Sequence, residues 1–220
     1  IAGSIDLVRR QSGFGGKSFA GSIFSGLESA NLQKIAGATL QHSSANFFAD
    51  VDFTYRDADN YKAGGGKEVL YSQCTKYNFS TTVGYQLDPH QQLKASLIYD
   101  KATDVGYPAL PMDVSKAEAF IGSLQYNRHV GSSLVDYWQT KLYYNKVTHI
   151  MDDTKRPEVP IRMDMPGWTN TGGFYSKLNG EINNHKWTAN LSGHYNTSMA
   201  EMTMFSNNPN EKDMFMLTWP

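Results

Sequence analysis

The dominant order in this chain is an alternation of apolar and polar side chains with a period of two. Tyr77, Phe79, Thr81, Val83, Tyr85 and Leu87 share one parity, and Asn78, Ser80, Thr82, Gly84 and Gln86 fill the other. Successive side chains of a strand project to opposite faces, so this stretch predicts a strand with one greasy and one wet side. Phe47, Ala49, Val51, Phe53 and Tyr55 stand in the same way against Asp50, Asp52, Thr54 and Arg56. So do Leu93, Ala95, Leu97 and Tyr99 against Gln92, Lys94, Ser96 and Asp100. The parity reverses for three further segments, whose apolar sets are Phe120, Leu124 and Tyr126, then Trp138, Leu142 and Tyr144, then Phe174, Leu178 and Ile182. It returns with Trp187, Ala189, Leu191 and Tyr195, and with Phe215, Leu217 and Trp219. Two weaker segments near 18–28 and 32–42 bring the expected total to ten strands, and no helical period competes.

The connections carry a second pattern. Long stretches at 57–74, 101–116, 149–171 and 198–211 alternate with short ones at 87–92, 128–133 and 183–185, which puts every long loop on one side. Greek-key crossings in a sandwich give no reason for such alternation. An antiparallel up-and-down transmembrane β-barrel does, because its turns are short on one side of an outer membrane and long on the other. Strands of roughly 10–13 residues suit a tilted crossing of the hydrocarbon, which needs about 9–11. The apolar faces begin and end with Tyr, Trp or Phe and bear almost no charge, as an interfacial girdle would. The opposite faces hold Lys94, Asp100, Lys141, Lys177, Glu181, Lys186 and His194, and are expected to line a wet lumen. A large soluble antiparallel sheet with a polar outer face is the alternative.

Composition narrows the function classes. Lys and Arg number 20 against 21 Asp and Glu, so no basic excess exists to track a phosphate backbone, and nucleic acid is not expected as a partner. No apolar run approaches the 18 or so residues of a membrane helix. The single cysteine, Cys74, can build neither a disulfide framework nor a zinc site. The opening "IAGSIDLVRR" lacks an initiator Met and a secretory pattern, which leaves a removed signal or a missing front part as expectations. Gly16-Lys17-Ser18 resembles the end of a phosphate-binding loop, but Gln11 stands where that motif needs its first glycine.

Several stretches together resemble a TonB-dependent outer-membrane receptor. "AGSIDLVRR" is similar to the last strand of the plug that fills such barrels. "YRDADNYKAGGGKEV", "YPALPMD" and "YYNKVTHIMDD" are similar to segments of the branch that includes copper receptors. The resemblance implies a plug tail and linker over 1–12, then the N-terminal part of a barrel over 13–220. Family barrels have about 22 strands, so it also implies that these ten belong to a longer chain in a Gram-negative outer membrane. A TonB-type coupling protein would act through the region before Ile1, and the ligand would be a metal ion or metal chelate. A complete ten-stranded barrel is the rival.

The seventh expected strand sets a register for two candidate ligands. Gln139, Lys141, Tyr143 and Asn145 occupy its wet parity, so His149 and Met151 should also point inward, near the external end. Imidazole and thioether together favour copper, Cu(I) above all, over hard cations. The resemblance places a similar His-x-Met pair at the metal in copper receptors, where copper is the transported ligand and not a resident cofactor. The same motif in carriers of ferric siderophores makes such a chelate the second substrate. Met163, Met165, Met214 and Met216 are weaker candidates, with Met199, Met202 and Met204 nearby. His194 is read as a solvated lumen residue. A different class of function, an outer-membrane hydrolase, would use Asp152 and Asp153 beside His149, although adjacent strand residues face opposite ways.

Overall fold

The computed structural model describes residues 11–16, 19–132, 134–157 and 159–219. The strand expected in "AGSIDLV", and with it residues 1–10 of the expected plug tail and linker, lies outside them. Among the described residues ten strands form one sheet in chain order: β1 Phe19–Glu28, β2 Gln33–Ser43, β3 Phe47–Ala58, β4 Cys74–Asp88, β5 Gln91–Val105, β6 Asp113–His129, β7 Tyr137–Asp152, β8 Arg162–Ile182, β9 His185–Phe205 and β10 Met214–Trp219. Every neighbour is antiparallel.

The ladder places Lys94, Asp100, Lys141, Lys177, Glu181, Lys186 and His194 on a single face. One row runs Gly84, Lys94, Gln125, Lys141, Tyr175 and Ser192 from β4 to β9. The adjoining row on the other face runs Val83, Ala95, Leu124, Leu142, Phe174 and Gly193. The parity reversal noticed in the sequence follows from chain numbering, since facing residues share a face whatever their numbers.

The short connections occupy 44–46, 89–90 and 183–184. In the last, Asn183 takes φ 55°, the left-handed conformation a two-residue hairpin requires and asparagine tolerates. At 89–90 the Asp88 carboxylate accepts from the His90 N–H at 2.7 Å. The short connection expected at 128–133 lies at 130–136 and is as long as 106–112 on the opposite side. The long connections are shorter than expected, spanning 59–73, 106–112, 153–161 and 206–213. Strands β5 to β9 continue past their apolar stretches, so Met163, Met165 and Met202 are strand residues. Backbone pairing persists there without hydrophobic alternation, which is why the pattern alone ended those strands early. Cys74, the last residue of the connection expected at 57–74, likewise opens β4.

The sheet is one layer thick, and its interior is correspondingly small. Among described residues only Phe48, Ala58, Met112 and Val114 are buried apolar side chains. Phe48 lies on the polar face, directly across from Gly84, where an added Cβ would come within 2.1 Å of its ring. Residues 11–16 cover it. Phe14 meets Phe48 edge-on at 5.2 Å, and Ser12 donates its N–H and hydroxyl to Asp50 at 2.8 and 2.5 Å. Gln41 supplies a further donor to the same carboxylate, which is buried. The segment preceding β1 is therefore held against the polar face.

Candidate functional site

β7 carries the two proposed ligands in its last rows before the loop at 153–161. His149 is directly opposite Ala117 on β6 and Gly167 on β8, and Gly167 faces Ala200 on β9. With small residues on both flanks, the imidazole stands exposed beside a hollow of about 330 Å³, whose lining includes Val147, Thr169 and Ser198. Two residues on, Met151 faces Val114 and Met165. His149 and Met151 therefore share the polar face, as their parity demands.

The tertiary structure adds a set of thioethers that linear spacing does not disclose. β8 and β9 pair in one constant register on either side of Pro166, from Arg162 with Phe205 to Gly167 with Ala200, which sets Met165 level with Met202. Met202 in turn faces Met216 on β10. A row of four methionines thus crosses four strands: Met151, Met165, Met202 and Met216. A second row, Met163, Met204 and Met214, lies next to it toward the loops. Directly opposed Cβ atoms in an antiparallel pair are about 4.5–5.5 Å apart, so neighbouring sulfurs in a row can reach a common ion. Seven of the nine methionines belong to these rows. The other two do not: Met112 is buried at the end of the connection 106–112, and Met199 faces Trp168 on the apolar side. Proximity in sequence groups Met199 with Met202 and Met204, but its odd number places it on the opposite face. His194 faces Gly173 on the polar side, well along β9 from the rows.

The aspartates considered for hydrolysis hold the loops instead. Asp153 is 2% exposed, accepts from the Met163 N–H at 2.9 Å and pairs with Arg162 at 3.3 Å. Asp152 accepts from the Thr154 N–H at 3.1 Å. Beside them Arg156 is buried, forms a bidentate pair with Asp113 at 2.5 and 2.9 Å, and donates to the Tyr107 carbonyl at 2.9 Å. Its guanidinium also stacks 3.6 Å from the Tyr71 ring centroid. Three long connections are joined through this one side chain, at the end of the sheet where the methionine rows lie. Sequence reading missed the cluster because its members are scattered over 71–156 with no periodic signature.

Near these loops the carboxylates are set apart electrostatically. Burial raises the Asp164 pKa, and the charges of Asp152, which it faces, and Asp153 push it the same way. Burial also acts to raise Asp104, but hydrogen bonds and charge from Lys155, with Gln73, outweigh it and leave the pKa low. No group of three or more His, Cys, Asp or Glu able to hold a metal occurs among the described residues.

No family model and no curated protein matches the chain. Among solved structures, the one titled copper transporter OprC superposes with a TM-score of 0.77 at 18% identity, covering 96% of this chain and 34% of that one. The chain thus spans about a third of that structure's length. Its ten antiparallel strands have the fold of the corresponding part of that transporter.

Proposed function

We propose that this chain is part of the wall of a TonB-dependent outer-membrane receptor that imports a soft metal ion, with copper as the favoured substrate. The observation that carries the membrane reading is the apolar face. Ile23 is 87% exposed, Leu27 83%, Tyr195 74% and Leu191 66%, on a single-layer sheet with no second layer packed on that face among the described residues. A water-soluble protein rarely exposes so continuous an apolar surface, whereas hydrocarbon would cover it at no cost. Among the described residues no helix is long and apolar enough to cross a membrane.

Copper is supported by the donor set. Cu(I) prefers thioether and imidazole, and His149 with Met151 and Met165 offers both on one face beside a hollow. The metal is cargo, so the site must release it, and the methionine rows offer successive weak positions along the wall. Residues 1–12 would belong to a plug linker, consistent with residues 11–16 lying on the polar face, and a TonB-type protein would act on the region before them.

The test is titration of the intact receptor with Cu(I) under anaerobic conditions, comparing wild type, His149→Ala and Met151→Ala. Each variant should lose affinity by at least roughly tenfold, as losses at metal sites commonly do. Unchanged affinity in both would remove the site. Lipid-phase labelling is the separate test of the membrane reading: cysteines at Leu97, Leu142 and Leu191 should react and those at Lys94, Lys141 and Lys177 should not.

A further inference from the structure

The apolar face carries few charges, and the ladder shows where they gather. On β5 to β7, beyond the apolar stretch toward the long connections, Lys101, Lys116 and Lys146 all project to that face around one carboxylate, Glu118. Lys101 is directly opposite Glu118, Lys116 is two residues away on the same strand with its Nζ 3.1 Å from Glu118 Oε2, and Lys146 faces Phe120, diagonal to Glu118. Diagonal neighbours of this kind lie about 7–8 Å apart. Three ammonium groups thus gather near Glu118, and with Asp152 on the same face at the loop end of β7 the patch keeps a net positive charge. Elsewhere at this end the same face is balanced or acidic, with Lys34 paired to Asp57 at 3.5 Å on β2 and β3, and Asp164 and Glu201 on β8 and β9.

Tyr99 and Phe120 lie level with Lys146, and below them the same strands present Leu97, Leu124, Leu142 and Tyr144. Lysine cations directly above an aromatic and aliphatic band fit one occupant: an anionic lipid whose acyl chains lie on the band and whose phosphates reach the ammonium groups. Lys146 is exposed and available, and Lys101 is half-exposed. We infer that Lys101, Lys116 and Lys146 form a docking site for a phosphate-bearing lipid headgroup in the leaflet on the long-loop side. The inference rests on the membrane reading above, and it adds a lipid site that the transport reading does not require.

The experiment uses the whole receptor in nonionic detergent, with native mass spectrometry to count retained lipid. The probes are bis-phosphorylated lipid A, the same lipid with both phosphates removed, and phosphatidylcholine. Wild type should retain the bis-phosphorylated lipid most strongly. Lys101→Gln/Lys146→Gln should lower that retention by roughly 25-fold, taking about a fivefold loss for each lysine near an anionic surface. Lys34→Gln, which removes a lysine already paired to Asp57, should leave it unchanged, and Lys101→Arg/Lys146→Arg should restore it. Equal retention by wild type and the glutamine variant, no preference for phosphate, or displacement by millimolar inorganic phosphate would each overturn the lipid site. If Leu97 and Leu142 label from the lipid phase while phosphate preference is absent, only this inference fails. If they do not label, the membrane reading fails with it.

Discussion

Arg156 stacks its guanidinium 3.6 Å from the Tyr71 ring centroid while both arms of its fork engage Asp113. The contact draws the connections at 59–73 and 153–161 together over the start of β6. Both members of the ion pair are buried, with side chains 9% and 5% exposed, so neither charge has water to fall back on. Removing one partner of such a pair commonly costs about 3–5 kcal/mol because the other remains charged and desolvated. Arg156→Ala should therefore loosen all three connections, read as lost hydrogen-exchange protection at 106–112 and 153–161. Arg156→Met combined with Asp113→Leu should recover most of the loss. If the single substitution leaves protection unchanged, the clasp contributes nothing.

The thioether row makes a prediction separable from folding. Met165→Leu and Met202→Leu conserve volume, and such exchanges usually cost less than about 1.5 kcal/mol. Silver(I), a soft and redox-inert substitute for Cu(I), should bind each variant roughly tenfold more weakly if sulfur is the ligand. The control is Met199→Leu, whose side chain lies on the other face. Calorimetry that finds all three variants equal to wild type would show the row to be packing only.

Asp164 and Asp104 predict opposite responses to acid. The Asp164 pKa is raised by burial and by the Asp152 and Asp153 charges. Its protonated form is the favoured one when folded, so its contribution is present below the ordinary carboxylate pKa and is lost as pH rises through the raised value. Asp104 is lowered because Lys155 and Gln73 outweigh its burial. Its contribution is present above the ordinary carboxylate pKa and is lost as pH falls through the lowered value. At neutral pH Asp164→Asn should slow exchange at the loop end of β7 and β8 by a few fold and flatten its pH dependence above the carboxylate range. Asp104→Asn should speed exchange around Gly106 and remove the dependence below it. The same profile in both variants would contradict the assignment.

Gly84 has no room for a side chain. A Cβ there would meet the Phe48 ring at 2.1 Å, and that ring is in turn covered by Phe14. Gly84→Ala should destabilise by about 1–3 kcal/mol, the usual range for overpacking, and expose the segment at 11–16 to protease. Phe48→Leu in the same chain should relieve the clash. Asp50→Asn weakens the Ser12 contacts and should speed cleavage at 11–16 without displacing Phe48. Cleavage at an unchanged rate in Gly84→Ala would mean the ring does not hold the segment.

Much of the fold could be read from the chain because a half-buried strand must alternate, and the face assigned to each of Lys94, Lys141 and Lys177 followed from parity alone. What escaped was whatever does not alternate. The upper ends of β7, β8 and β9 read as loop, since backbone pairing beyond an apolar band leaves no hydrophobic trace. Phe48, an aromatic residue at a polar-face position, makes sense only once Phe14 and Gly84 are seen against it.

His149 and Met151 were brought to one face by their own spacing, a local property of any extended backbone. Their partners were not. Met165, Met202 and Met216 join Met151 through the register of three strand pairs, and register depends on how whole strands align across the sheet, not on any short stretch of residues. The sequence by itself determined which side of each strand a residue would take. Only the tertiary structure decided which residues would stand beside it, because neighbours in a sheet are far apart along the chain.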